Sequence, residues 1–276
     1  MNQFTLKSTY SFEGKGLHTG TYSHMTVMPG PAGSGIVFRR TDLPGTPEIQ
    51  AIAENVSNTA RSTTISQNGG EVVTIEHIMS ALTGMGVDNA LIEIDNREVP
   101  ILDGSARLYA EAIAKDGLQD QGVPRKYIDI PLAIEVSDPK TGSWVKIEPA
   151  GEPSAHITVD FGSKVLGVQS ARWGLATDYA SQIAPCRTFC FFKEIEMMLK
   201  NGLIKGGDLD NALVVTDDGY MGNPTLHFTD ECGRHKLLDL LGDIRLAGGY
   251  LNAHVTAFKP GHSINTKAAK ALRALL

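Results

Sequence analysis

The sequence predicts an α+β fold in which two domains of similar plan each layer helices against antiparallel β-sheets. Three observations lead there: a strand–turn–strand segment that occurs twice, a longer helix–strand–helix segment that also occurs twice, and a break in the pattern between the copies.

The shorter pair is SHMTVMPGPAGSGIVFRR (23–40) and SWVKIEPAGEPSAHITVDF (143–161). Each is an alternating strand ending in proline (Pro29, Pro149), a Gly/Pro-rich turn, and a second strand. The longer pair is 76–113, opening EHIMSALTGMGVDNALIEI, and 234–272, opening RHKLLDLLGDIRLAGGYLNAHV. Both read as helix, glycine break, apolar strand, a Pro- and Gly-containing turn with a serine, and a second helix. His77 and His235 each stand second in their copies. QDQGVPRK interrupts the pattern, so the domains are placed at 1–122 and 125–276. The second carries an extra β-α-β segment at about 185–215, which reads as strand, short helix, glycine-rich turn and strand.

Composition narrows the function. The 276 residues are 42% hydrophobic and 20% charged with a formal charge of −6, an ordinary globular balance with no basic stripe to meet nucleic acid. No apolar run approaches the ~20 residues of a membrane span. MNQFTLKSTY lacks the basic start and apolar run of a secretory signal. Three cysteines form no even framework and fit a reducing compartment, so the chain is expected to be cytoplasmic. Cys186 and Cys190 alone are half a metal site at most, and idle thiols are the simpler reading.

GRHKLLDLLGD (233–243) carries the most chemistry. His235, Asp239 and Asp243 are four apart and fall on one helical stripe, opposite an arc of Leu237, Leu238, Leu240, Leu241 and Ile244. Alone, H-x-x-x-D is a weak signal and is most often an exposed helix face or a surface ion pair. Solvated faces favour Glu and Lys, however, and so apolar an arc favours burial. His235 and Asp239 suit one ion. If the duplicated halves pack about a pseudo-twofold axis, His77 supplies a third ligand and leaves a position for water, the pattern of a catalytic zinc site. Glu76 then lies beside the ion, suited to take a proton from water, and Asp243 is placed to orient another imidazole. His262, in what reads as a loop before the last helix, is the remaining histidine in a suitable setting. Thr74 is expected to cap the helix that begins at TIEH. A rival set, His227, Glu231 and His235, is spaced by four as well, but NPTLHF reads as turn and strand and breaks the helical register. His18, between glycines in GKGLHTG, is explained by turn geometry as readily as by chemistry. Nucleotide-binding, dinucleotide-binding, serine-hydrolase and HExxH signatures are absent.

These segments resemble a known family. GLHTG (16–20), TIEHIMSALTGMGVDNALIEI (74–94), VPILDGSA (99–106), CRTF (186–189), GRHKLLDLLGD (233–243) and KPGHSIN (259–265) occur in the order found in UDP-3-O-acyl-N-acetylglucosamine deacetylases, and the resemblance spans essentially the whole chain. It implies Zn2+ held by His77, His235 and Asp239, with Glu76 as general base. It implies His262 as the general acid that protonates the leaving amine, Asp243 as its orienting partner, and Thr188 as the hydroxyl that stabilises the oxyanion. Lys236 and Lys259 are implied contacts to sugar or diphosphate, and Phe161 and Phe189 substrate-lining aromatics. The insert is implied to shape an acyl passage lined by Phe191, Phe192, Ile195, Ile204, Leu209 and Ala212. The implied substrate is UDP-3-O-acyl-N-acetylglucosamine, deacetylated in the committed step of lipid A synthesis by what is expected to be a monomer.

Two residues depart from the family pattern. Ser62 stands where many relatives have cysteine near the active site, and Cys190 where glycine usually follows RTF, which narrows the passage mouth or shifts its backbone. The ending KAAKALRALL lacks an obvious helix cap, and some relatives are fused to a lipid-synthesis dehydratase, so the chain is expected to be part of a longer polypeptide. Two other functions fit the same residues: a zinc amidase acting on another N-acyl sugar, and a non-catalytic binder of UDP-sugar or lipid.

Overall fold

Alternating burial, with every second residue turned inward, shapes two large sheets in a computed structural model that describes residues 1–275. The first sheet runs, in spatial order, Tyr10–Lys15, Tyr22–Pro29, Ala90–Ile94, Ile36–Arg40 and Glu48–Gln50. The second runs Ile134–Asp138, Ser143–Pro149, Tyr250–Phe258, Ser154–Asp160 and Val168–Gly174, with Tyr127–Asp129 added beside Tyr250–Phe258. One plan serves both. The last strand in sequence inserts at the centre, antiparallel to the first strand of the repeated segment and parallel to the second. The sheets are therefore antiparallel except at this central pair and where Tyr127–Asp129 lies parallel to Tyr250–Phe258. At the central pair the chain returns through a long crossover containing a helix, and such a return brings strands in parallel.

Six α-helices accompany the sheets among the described residues: α1 (Glu76–Gly84), α2 (Arg107–Asp116), α3 (Tyr179–Gln182), α4 (Ile195–Lys200), α5 (Glu231–Ile244) and α6 (His262–Arg273). α1 and α5 lie against each other and are buried nearly all round. In α5 only Arg234 and Lys236 are even half-exposed, so its polar stripe is no wet face. One apolar core, from Met25 and Phe38 through Ile78 and Leu237 to Val255, joins both sheets to these helices. A smaller cluster of Leu166, Leu213, Val215 and Cys232 supports the insert. There Phe189–Phe191 pairs in parallel with Leu213–Val215 around α4, the expected strand–helix–strand unit.

Three local expectations need correction. Thr74 does not cap α1: Ile75 holds that position, while Thr74 takes a φ of 61° and turns its hydroxyl to Glu98 Oε1. NPTLHF forms no strand, although His227 still lies outside α5, which begins at Glu231. His262 is not a loop residue but the first residue of α6, with Gly261 as N-cap. At the other end Ala274 caps α6 through its main-chain N–H, and Leu276 lies outside the described residues. Among the described residues no helix is long and apolar enough to cross a membrane, and all three cysteines are free.

Candidate metal centre

The contact between α1 and α5 brings the repeated histidines together. His77, His235 and Asp239 are all buried and offer ligand atoms within 4.8 Å of one another. Asp239 Oδ1 lies 3.8 Å from His77 Nε2 and 3.4 Å from His235 Nε2. His235 Nδ1 is 3.0 Å from the Cys186 carbonyl, an acceptor, so the proton sits on Nδ1 and the Nε2 lone pair faces Asp239. Burial, with His235 adding to it, pushes the His77 pKa down to about 3, and burial lowers that of His235 as well. Both imidazoles are thus neutral, as ligands must be. Burial opposes the charge on Asp239, but its charged surroundings, with the Lys236 ammonium at 2.8 Å, outweigh it and hold the carboxyl well below the usual carboxylate range. Its Oδ2 accepts from Lys236 Nζ at 2.8 Å, whereas the buried Oδ1 has no hydrogen-bond partner. An orphaned anionic oxygen beside the Nε2 atoms of two neutral imidazoles is costly unless a cation joins them, so the residues fit a metal.

Two further groups flank this cluster. Glu76 opens α1; its Oε2 accepts the Thr63 N–H at 3.0 Å, and its Oε1 lies 3.7 Å from His262 Nε2. Burial raises its pKa to about 7, opposed by His262 and reinforced by Asp243. His262 Nδ1 donates to Asp243 Oδ2 at 3.0 Å. Burial disfavours its charge, but the carboxylates of Asp243 and Glu76 outweigh that and raise its pKa to about 9. A carboxylate that can take a proton thus stands near an imidazolium that can give one.

All of these groups except Asp243 line a cavity of about 320 Å³, together with Thr188, Phe189, Lys236 and Lys259. A neighbouring cavity of about 260 Å³ shares Thr188 and Phe189 and is walled by Ile195, Ile204, Leu209 and Ala212 of the insert. Phe191 and Phe192 are not in that wall. They face a separate hollow of about 420 Å³ with Phe161 and Lys164. Phe189 and Cys190 both line the apolar cavity, whereas the chain turns at Phe192 and carries Phe191 and Phe192 to the other hollow. Phe161 does not line the first cavity; its ring packs edge to face on Phe189, which does, at 5.5 Å. Cys186 and Cys190 join no metal-ligand cluster among the described residues.

Glu98, Thr63 and Asn265 had no sequence signal of their own, and His18 had only an undecided one. Glu98 is buried and accepts the N–H groups of His18 and Thr19, as well as the Thr74 hydroxyl, tying the GLHTG loop to the turn before Glu76. His18 is buried in the wall of the apolar cavity with neither ring nitrogen bonded. Thr63 and Asn265 both donate to Asp243. The acid at 98 follows the central strand of the first sheet and reads only as a charge before a turn.

The family profile described as UDP-3-O-acyl N-acetylglycosamine deacetylase (LpxC) matches residues 3–274. The UDP-3-O-acyl-N-acetylglucosamine deacetylase of Trichormus variabilis is 43% identical over 100% of this chain and 99% of its own length. That of Myxococcus xanthus is 40% identical over 98% of this chain and 85% of its own. The bifunctional enzyme LpxC/FabZ of Porphyromonas gingivalis is 44% identical over 98% of this chain, which spans only 64% of that relative's length.

Proposed function

The chain belongs to the UDP-3-O-acyl N-acetylglycosamine deacetylase family, and from that premise we propose that it hydrolyses the acetamide of UDP-3-O-acyl-N-acetylglucosamine to UDP-3-O-acyl-glucosamine and acetate, the committed step of lipid A biosynthesis. The observation that carries the reading is the convergence of His77, His235 and Asp239 beside Glu76 and His262. We assign the metal as zinc, because two imidazoles and one carboxylate are a catalytic zinc donor set. When bound, zinc supplies a Lewis acid for the acetamide carbonyl and lowers the pKa of water to roughly 7.

The residues divide the remaining work. Glu76 takes the proton of the attacking water at Oε1, the oxygen not committed to Thr63. The Thr188 hydroxyl donates to the carbonyl oxygen as that oxygen gains charge. His262, held by Asp243, gives the Nε2 proton to the amide nitrogen, because an amine leaves only once protonated. Lys236 and Lys259 hold the diphosphate or sugar. Ile195, Ile204, Leu209 and Ala212 surround the acyl chain. We read the shared sheet plan as two domains, 1–122 and 125–276, and place the enzyme in the cytoplasm as a monomer.

The test is release of acetate from UDP-3-O-acyl-N-acetylglucosamine at several acyl lengths, with and without a chelator. Turnover that stops on chelation and returns with zinc supports the reading. Binding of the UDP-sugar without turnover, unchanged by chelation, marks a non-catalytic binder instead.

A further inference from the structure

Glu76 and the Asp243–His262 pair stand on three different helices, and one residue touches both. Thr63 is buried just ahead of the strand Thr64–Gln67. Its N–H donates to Glu76 Oε2 at 3.0 Å and its hydroxyl to Asp243 Oδ1 at 2.5 Å. Its carbonyl accepts the Ile75 N–H at 3.3 Å, fixing the residue before Glu76. Asp243 Oδ2 serves His262 Nδ1 at 3.0 Å and Asn265 Nδ2 at 2.9 Å. Thr63 is the only side chain donating to Oδ1 among the described residues.

We propose that Thr63 is a positioning residue for proton delivery. Its hydroxyl holds the Asp243 carboxylate in the rotation that aims Oδ2 at His262 Nδ1 and so keeps Nε2 facing the cleft. The proposal rests on the deacetylase reading above. Without that hydroxyl, a buried carboxylate oxygen has no donor, and such an oxygen is costly enough to turn toward whatever donor remains. The turn pulls Oδ2 away from the imidazole. The bond to Glu76 comes from the main chain and survives a side-chain change, so the support of the acid is separable from that of the base. A β-branched residue is stiff at χ1, and valine keeps that shape while removing the hydroxyl alone.

The experiment compares Thr63→Val, Thr63→Ala and Thr63→Ser in the zinc-loaded chain. Valine and alanine should each lower kcat roughly 10- to 100-fold, the scale for losing an outer hydrogen-bond partner, with KM and bound zinc unchanged. Serine should restore kcat to near the parent value. In proton NMR of the same zinc-loaded proteins, the low-field His262 Nδ1–H resonance should persist with serine and shift or vanish with valine. The proposal is overturned by a parent-like kcat in Thr63→Val, by a raised KM at unchanged kcat, by serine as impaired as valine, or by an unmoved resonance. Failure of the valine and alanine variants to fold, while serine folds, also overturns it by assigning Thr63 to the scaffold. A parent chain that releases no acetate defeats the deacetylase reading itself, and the resonance then decides the role of Thr63 separately.

Discussion

Gly242 of α5 faces the main-chain carbonyl of Glu76 in α1 so closely that a Cβ at 242 would overlap that oxygen. The contact lies one residue from Asp243 and one from His77, so it sets the spacing at which the two halves of the site meet. Gly242→Ala gains up to about 1 kcal/mol of helix propensity. Overpacking against backbone, which cannot swing aside as a side chain can, costs about 1–3 kcal/mol. The overlap should win. Denaturant unfolding should show a net loss of stability, and zinc titration a weaker affinity as His77 moves from His235 and Asp239. An alanine variant as stable and as tight for zinc as the parent contradicts this account of the helix contact.

Glu76→Ala should leave zinc in place, because the carboxylate at 76 is outside the cluster of His77, His235 and Asp239. Turnover should fall by roughly 10²- to 10⁴-fold, the usual contribution of a general base. Metal analysis and acetate release on the same preparation check both halves. Retained turnover removes Glu76 from the mechanism, and lost zinc moves it into the ligand set.

The cluster of His77, His235 and Asp239 was legible in the sequence because helical spacing and duplication are both one-dimensional signals. His235 and Asp239 follow from a period of four, and His77 from its equivalent place in the repeat. The shared plan of the sheets was readable for the same reason, from strand–turn–strand segments around Pro29 and Pro149. What escaped was contact between elements distant in sequence. Thr63 and Asp243 are separated by 180 positions, and no periodicity links them. Burial of α5 on both faces was only half-legible, since Arg234 and Lys236 look like a solvated edge. The errors at Thr74 and at Phe191 and Phe192 share a cause. A left-handed turn before α1 and the direction the chain takes at Phe191 and Phe192 are settled by packing with Glu98 and within the insert, not by local preference.

The two proton-handling groups require opposite states, so kcat/KM should be bell-shaped in pH. Glu76 acts only when ionised, and activity should be lost as pH falls through its pKa, which burial raises to about 7. His262 acts only when protonated, and activity should be lost as pH rises through its pKa of about 9, raised by Asp243 and Glu76 against the effect of burial. A cation held by the neighbouring ligands favours ionised Glu76 and neutral His262, so both limbs move to lower pH in the loaded enzyme. The acid limb is therefore expected at or below 7 and the base limb at or below 9. His262→Gln should abolish the base limb and keep the acid one. A base limb that survives in this variant assigns it to another group.

Cys190 points into the apolar cavity of about 260 Å³ beside Ile195 and Ile204, so its size should set how much acyl chain fits. Cys190→Phe fills part of that space with a ring, whereas Cys190→Gly enlarges it. Each methylene kept out of an apolar site loses about 0.8 kcal/mol, close to fourfold in kcat/KM per carbon. Phenylalanine should therefore penalise long chains progressively, leave the shortest acyl substrates near the parent rate, and keep zinc content unchanged. Glycine should relax the limit in the opposite direction. Rates for a series of UDP-3-O-acyl-N-acetylglucosamines of increasing chain length read the profile directly. If phenylalanine slows every chain length equally, Cys190 acts through the backbone of its strand, and the cavity it lines does not measure the acyl chain.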